Sequence, residues 1–152
     1  MVIIMNNKLS NLREDNDYSQ KDIATMLGIA RPTYSKWEIN EKIPPLPRIN
    51  TLANIYDSSI DYLLGLKNIN KPTTRIEKLN YMQIGHRITE IRKDNNLSMR
   101  ELAKQLNTSH STISSYEHGK HLILTSFAYQ ISKKYNISLD WLCGRSNNKY
   151  IK

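Results

Sequence analysis

The feature that most constrains this chain is that it repeats itself. A shift of 79 residues brings the two halves into register without a gap. Arg13, Asp15 and Asn16 meet Arg92, Asp94 and Asn95, and Ser19, Ala24 and Leu27 meet Ser98, Ala103 and Leu106. Thr33, Ser35 and Glu38 meet Thr112, Ser114 and Glu117, and farther on Tyr56, Asp61, Leu63 and Gly65 meet Tyr135, Asp140, Leu142 and Gly144. Such matching implies two copies of one fold, each of about 60 residues, which is enough to close a small core. The expected organisation is a first domain over residues 1–66, a basic linker over 67–83, a second domain over 84–145 and a basic tail over 146–152. The polar tail is expected to be mobile.

Each copy reads as five short helices, so the fold class is all-α. With 5 Gly and 5 Pro, the chain is too poor in turn residues for a turn-dense β fold. In the first helix Met5, Leu9 and Leu12 recur at i, i+4 and i+7, and Ile84, Ile88 and Ile91 do the same in copy two. The second helix opens with a capping box, Ser19 with Asp22 and then Ser98 with Glu101, ahead of the apolar stripes Ile23, Ala24, Leu27 and Leu102, Ala103, Leu106. The third offers Tyr34 and Trp37, or Ile113 and Tyr116. The fourth uses Ile49, Leu52, Ala53 and Tyr56, or Ala128, Ile131 and Tyr135. The fifth starts near Ser59 or Ser138, with Asp61 or Asp140 in the first turn, where the helix dipole favours an anion. Its core side is Ile60, Leu63 and Leu64, or Leu139, Leu142 and Cys143. Between the copies, Asn68, Asn70 and Lys71-Pro72 break helical continuity, while Thr74 to Glu77 has the spacing of a further capping box, compatible with a short helix inside the linker.

Gly28-Ile29-Ala30 separates the second helix from the third. A turn this short between two short helices is a helix-turn-helix arrangement. It needs a left-handed residue just after the second helix. Gly28 supplies it, and Asn107, the next most tolerant residue type, stands at the matching place. Asn40 and Gly119 repeat the same chemistry after the third helix.

These residues carry a family resemblance. Ser19-Gln20-x-x-Ile23-Ala24-x-x-Leu27-Gly28-Ile29, Tyr34-Ser35-Lys36-Trp37-Glu38 and Ile60-Asp61-Tyr62-Leu63-Leu64-Gly65 strongly resemble the Cro and phage-repressor type of helix-turn-helix, the XRE family. Copy two resembles it through Leu97-Ser98-x-x-Glu101-Leu102-Ala103, Ser114-x-Tyr116-Glu117-x-Gly119 and Ser138-Leu139-Asp140-Trp141-Leu142-x-Gly144. The resemblance implies a lambda-repressor-like domain in tandem, with the third helix in the major groove of double-stranded DNA and the second across the backbone. It implies base contacts from Arg31, Pro32, Thr33 and Lys36, and phosphate contacts from Gln20 and Lys42. Arg31 is the strongest base reader, because its planar fork can donate two bonds to guanine. Pro32 fits a first helical turn, whose N–H would be unpaired anyway. In copy two the matching base positions are His110, Ser111, Thr112 and Ser115, which are shorter and more neutral. Met99 stands where copy one has Gln20, and Arg100, Lys120 and His121 are the candidate phosphate contacts.

Charge is distributed unevenly. The net charge is +8, yet residues 1–65 carry 7 Lys/Arg against 8 Asp/Glu, whereas 66–84 carry 4 against 1 and 85–145 carry 9 against 5. A basic excess is the footprint of a polyanion partner. The single cysteine, Cys143, excludes an intrachain disulfide and fits a reducing cytoplasm. No apolar run is long enough to span a membrane, and Val2-Ile3-Ile4-Met5 is too short for a secretory segment. His110, His118 and His121 lack companion ligands for a metal, and no catalytic set or phosphate-cradling loop occurs, so neither enzyme nor cofactor is expected. Tyr34, Trp37, Tyr116 and Trp141 fall on the core side and read as packing, and Glu38 and Glu117 as structural hydrogen-bond or ion-pair partners near a helix end.

The expected function is a bacterial or phage-type regulator, a repressor in the leading form, that binds DNA specifically through copy one. Copy two either docks on the same DNA or makes a homodimer. The alternative is a protein-binding module on the same fold, such as an antitoxin or nuclease inhibitor, which the charge of −1 on residues 1–65 favours.

Overall fold

A computed structural model describes residues 8–152 of the chain. Met5 of the first apolar stripe and the Val2–Met5 segment lie outside the described residues. The chain divides into two compact units, Met1–Glu77 and Lys78–Lys152, called domain 1 and domain 2 below. Domain 1 contains α1 (Lys8–Asp15), α2 (Gln20–Leu27), α3 (Arg31–Glu38), α4 (Leu46–Ile55) and α5 (Ile60–Leu63). Domain 2 contains α6 (Tyr81–Asp94), α7 (Met99–Gln105), α8 (His110–Glu117), α9 (Thr125–Tyr135) and α10 (Leu139–Leu142). Among the described residues extended pairing is limited to one antiparallel bridge, Ile137 with Tyr150.

The repeat holds at the level of backbone angles. Among the described residues, those with positive φ fall into five pairs 79 apart: Asp17 and Asn96, Gly28 and Asn107, Asn40 and Gly119, Asp57 and Asn136, and Gly65 and Gly144. Gly28 (φ 66°) and Asn107 (φ 55°) make the turn that sets α3 against α2 and α8 against α7. Both capping boxes form. Ser19 Oγ accepts from Asp22 N (3.0 Å) and Asp22 Oδ2 from Ser19 N (2.8 Å). Ser98 and Glu101 reproduce this at 3.1 and 3.0 Å.

Each core is built from the expected stripes. In domain 1, Leu9, Ile23, Leu27, Tyr34, Trp37, Ile49, Leu52, Ile60, Leu63 and Leu64 are buried, and the Tyr34 and Trp37 rings meet edge to face with centroids 6.0 Å apart. In domain 2, Ile84, Ile88, Ile91, Leu102, Ile113, Tyr116, Ile131, Leu139, Leu142 and Cys143 are buried. Tyr135 departs from its mate Tyr56. The Tyr56 hydroxyl is buried 2.7 Å from that of Tyr34. Domain 2 has Ile113 where domain 1 has Tyr34, which offers no hydroxyl, and half-buried Tyr135 instead donates outward to Gln105 Oε1. Gly85 lets α6 lie directly on α8, since a β-carbon there would sit 2.5 Å from the Tyr116 carbonyl oxygen.

Two expectations are corrected. The tract after α5 contains no helix at Thr74–Glu77. Asn50 Nδ2 and Asn54 Nδ2 on α4 both donate to the Ile76 carbonyl at 2.7 Å, and Ser58 Oγ and Ser59 N donate to Asn70 Oδ1. Those tertiary bonds hold the tract down outside helical geometry. Ile76 therefore belongs to domain 1, while Leu79, buried, and Asn80, the cap of α6, belong to domain 2. The joint between them is Glu77 and Lys78.

The tail is likewise tied down. Arg145 is buried 3.5 Å from Asp140, Ser138 N donates to Lys149 O at 2.8 Å, and Ile151 N donates to Asn136 O at 3.0 Å. Lys149 pairs with Glu90 (2.7 Å) and with Asp94. Its ammonium also lies 5.4 Å from the centre of the Trp141 ring, over which a second cation, Arg87, sits at 4.7 Å.

Candidate nucleic-acid interface

In domain 1, α3 turns its buried face, Tyr34, Trp37 and Glu38, inward and leaves Arg31, Pro32, Thr33 and Lys36 exposed. The four expected base-reading residues thus share one exposed surface on one helix. Pro32 sits at the helix start, where its ring costs no hydrogen bond. Lys42 is exposed in the loop beyond, which folds back so that Lys42 N donates to Lys36 O at 3.2 Å.

Behind that surface runs a chain of side-chain bonds. Arg13 on α1 donates its Nε to Glu38 Oε1 (2.6 Å), its Nη2 to Glu38 Oε2 (3.3 Å) and its Nη1 to the Tyr18 carbonyl (2.9 Å). Glu38 Oε2 also accepts from Gln20 Nε2 at 2.9 Å. Gln20 Oε1 in turn accepts from Arg31 Nη1 at 3.0 Å. The only one of Arg31's five donors engaged in this chain is that Nη1 proton, so the fork is oriented and still has hydrogen-bonding capacity for a base edge. Gln20, expected to face a phosphate, spends one amide proton on Glu38 and its oxygen on Arg31, which leaves its second amide proton for that role. Burial penalises the Glu38 carboxylate, but hydrogen bonds from Arg13, Gln20 and Tyr34 outweigh that and hold it below the usual glutamate range. The same hydrogen bond to Glu38, more than offsetting burial, raises the affinity of Arg13 for its proton. Burial, only partly offset by the hydrogen bond with Tyr34, leaves the Tyr56 hydroxyl pushed up to about 12, so this pair stays neutral.

Domain 2 keeps the buried pair and loses the relay. Arg92 Nε and Nη2 donate to Glu117 at 2.7 and 3.0 Å, and Arg92 Nη1 reaches the Leu97 carbonyl at 2.9 Å, as in domain 1. Glu117 also accepts from Thr89 Oγ1 on α6, at 2.8 Å, and Met99, in the place of Gln20, has no donor to offer it. His110 and Ser111 are exposed on α8. Thr112 Oγ1 is bonded to Ser109 Oγ at 2.9 Å, and Ser115 Oγ to His121 Nδ1 at 2.5 Å. Arg100, Lys104 and Lys120 are exposed. Lys104 went unnoticed in the sequence, although its i+4 spacing from Arg100 puts both on one helix face. Arg13 and Arg92 were also missed as partners of Glu38 and Glu117; their signal is that a matched arginine and a matched glutamate both recur at the 79-residue offset.

Both halves therefore present a helix-turn-helix whose third helix keeps one face exposed, and known proteins agree with that class. A helix-turn-helix model matches residues 9–63 and a helix-turn-helix domain model matches residues 85–145. The chain is therefore a tandem of two helix-turn-helix domains. Among similar proteins of Bacillus subtilis (strain 168), the uncharacterized HTH-type transcriptional regulator YobD is 36% identical over 73 residues, covering 48% of this chain and 63% of YobD. The SPbeta prophage-derived uncharacterized HTH-type transcriptional regulator YonR is 40% identical over 57 residues, 38% of this chain and 53% of YonR. The HTH-type transcriptional regulator AnsR is 36% identical over 58 residues, 38% of this chain and 50% of AnsR. The chain thus spans about half to five-eighths of the length of these relatives. No solved structure matches significantly. No described helix is long and apolar enough to cross a membrane.

Proposed function

We propose that this chain is a sequence-specific double-stranded DNA-binding regulator, a repressor acting in the cytoplasm, whose domain 1 reads the major groove. The observation that carries the reading is the relay Arg13–Glu38–Gln20–Arg31, which ends in an oriented guanidinium on the exposed face of α3. Arg31 with Lys36, Thr33 and Pro32 supplies base contacts, and Gln20 and Lys42 supply phosphate contacts. Repression then follows from occupying the operator, with no catalytic step and no cofactor.

The test is base selection on the full chain followed by titration. Arg31→Ala is expected to weaken binding by about 1–3 kcal/mol and to relax preference at one base position. Unchanged affinity and preference would remove α3 from the groove. The −1 charge of residues 1–65 supports the protein-partner reading. Under that reading the chain would leave a random-DNA column at very low salt. A palindromic selected site would point to a homodimer, and an asymmetric one to a single chain engaging through both domains.

A further inference from the structure

We infer that domain 2 is a sequence-tolerant anchor for the DNA phosphate backbone, and that base reading belongs to domain 1 alone. This rests on the proposal that domain 1 reads DNA, and extends it to the part each repeat plays.

Three independent observations converge on domain 2. The first is its charge: residues 85–145 carry 9 Lys/Arg against 5 Asp/Glu, whereas residues 1–65 carry 7 against 8. The second is a shallow depression of 380 Å³ on the outer side of α7 and the turn into α8, lined by Arg100, Ala103, Lys104, Asn107, Thr108 and His110. Two permanent cations on one helix face, a histidine and polar turn residues around a small apolar floor suit a tetrahedral phosphodiester. Arg100 and Asn107 carry donors able to meet a base edge, but among the described residues no side-chain hydrogen bond orients them as Gln20 orients Arg31.

The third is that the reading surface is bonded to itself. Thr112 is committed to Ser109, and Ser115 to His121. Each hydroxyl already spends one bond inside the domain, and a single remaining donor or acceptor site cannot make the paired contact that singles out one base. No relay from the core orients the remaining pair, His110 and Ser111, because Met99, in the place of Gln20, has no amide to link Glu117 to α8. His121 Nδ1 is occupied by Ser115, so its backbone-facing capacity is limited to Nε2. Base specificity needs oriented donors held against water. Phosphate attraction needs only charge at short range, and it survives flexible side chains.

The experiment measures how affinity falls with salt, using the full chain and its selected operator. The double variant Arg100→Gln/Lys104→Gln should lower the slope of log affinity against log salt by about 2, since each neutralised phosphate contributes about 0.9. Its selected sequence should be unchanged. His110→Ala and Ser111→Ala should also leave the selected sequence unchanged. All these positions are exposed, so thermal unfolding should match the parent and serve as the folding control. The inference is overturned if the double variant keeps the parental slope, or if the His110 or Ser111 variant changes base preference. Arg31→Ala separates the two readings. Should it leave preference intact, the assignment of domain 1 fails, while the slope still reports on domain 2.

Discussion

Glu38→Ala probes both stability and the interface. The carboxylate is 5% exposed and receives two bonds from Arg13, itself 13% exposed, and one from Gln20. Truncation strands a largely desolvated guanidinium, and breaking such a pair costs about 3–5 kcal/mol. Arg13 keeps the Tyr18 carbonyl and some access to water, which places the cost near the lower end, about 3 kcal/mol. For a domain of this size each kcal/mol moves Tm by about 4–8 °C, so the transition of domain 1 should drop by roughly 12–24 °C. Differential scanning calorimetry of the full chain should show this loss in one transition only, that of domain 1. Arg13→Met/Glu38→Leu removes both charges and should recover most of it, because the cost lies in the orphaned partner. Among molecules that remain folded, Glu38→Ala should also weaken DNA binding, since Gln20 loses the acceptor that orients it. Glu117→Ala should destabilise domain 2 without altering base preference. A drop under about 5 °C, or a double variant no more stable than the single, would refute the account.

Acid should unfold domain 1 in a defined window. Because Glu38 has a depressed pKa in the folded chain, its contribution is fully present above the ordinary glutamate value of about 4.3 and lost as pH falls through the lower folded value. Tm of domain 1 should therefore be level from about pH 7 to 5 and decline below about 4.3, and Glu38→Gln should flatten part of that limb when followed by circular dichroism. Two glycine substitutions should separate sterics from backbone strain in urea unfolding. Gly85→Ala places a methyl 2.5 Å from the Tyr116 carbonyl oxygen and should cost domain 2 about 1–3 kcal/mol. Gly28→Ala meets nothing within 4 Å and should cost domain 1 only the left-handed penalty of about 1–2 kcal/mol, whereas Gly28→Asn, the residue type at position 107, should be milder.

What the sequence made legible is local. Ser19 with Asp22, Ser98 with Glu101, and the left-handed places at Gly28 and Asn107 are written within a few residues of where they act. The outward face of α3 was legible for the same reason, since helical spacing sorts Arg31 and Lys36 from Tyr34 and Trp37. The unread features are bonds between distant residues. A capping signal at Thr74–Glu77 competes with Asn50 and Asn54, more than twenty residues earlier, and loses. Charge and polarity suggested a loose tail, but Arg145 and Lys149 find carboxylates on α10 and α6. The relay through Gln20 joins three segments, and only the folded chain shows that Met99 closes it in domain 2.

Under the proposed reading, in which both domains bind one DNA, the clamp on the Ile76 carbonyl has a consequence. A flexible tether over residues 67–83 would behave as a random coil with an end-to-end distance of about 20–25 Å. From the clamped Ile76 to the buried Leu79 the backbone has only three steps, a reach of about 11 Å at full extension. Polymer statistics then have little to average over. Once one domain is on DNA, the local concentration of the other is governed by backbone geometry, and inserted residues at Glu77–Lys78 change it in discrete steps. Asn50 and Asn54, inside domain 1 and distant in sequence from any base-reading residue, thereby set the length of the leash.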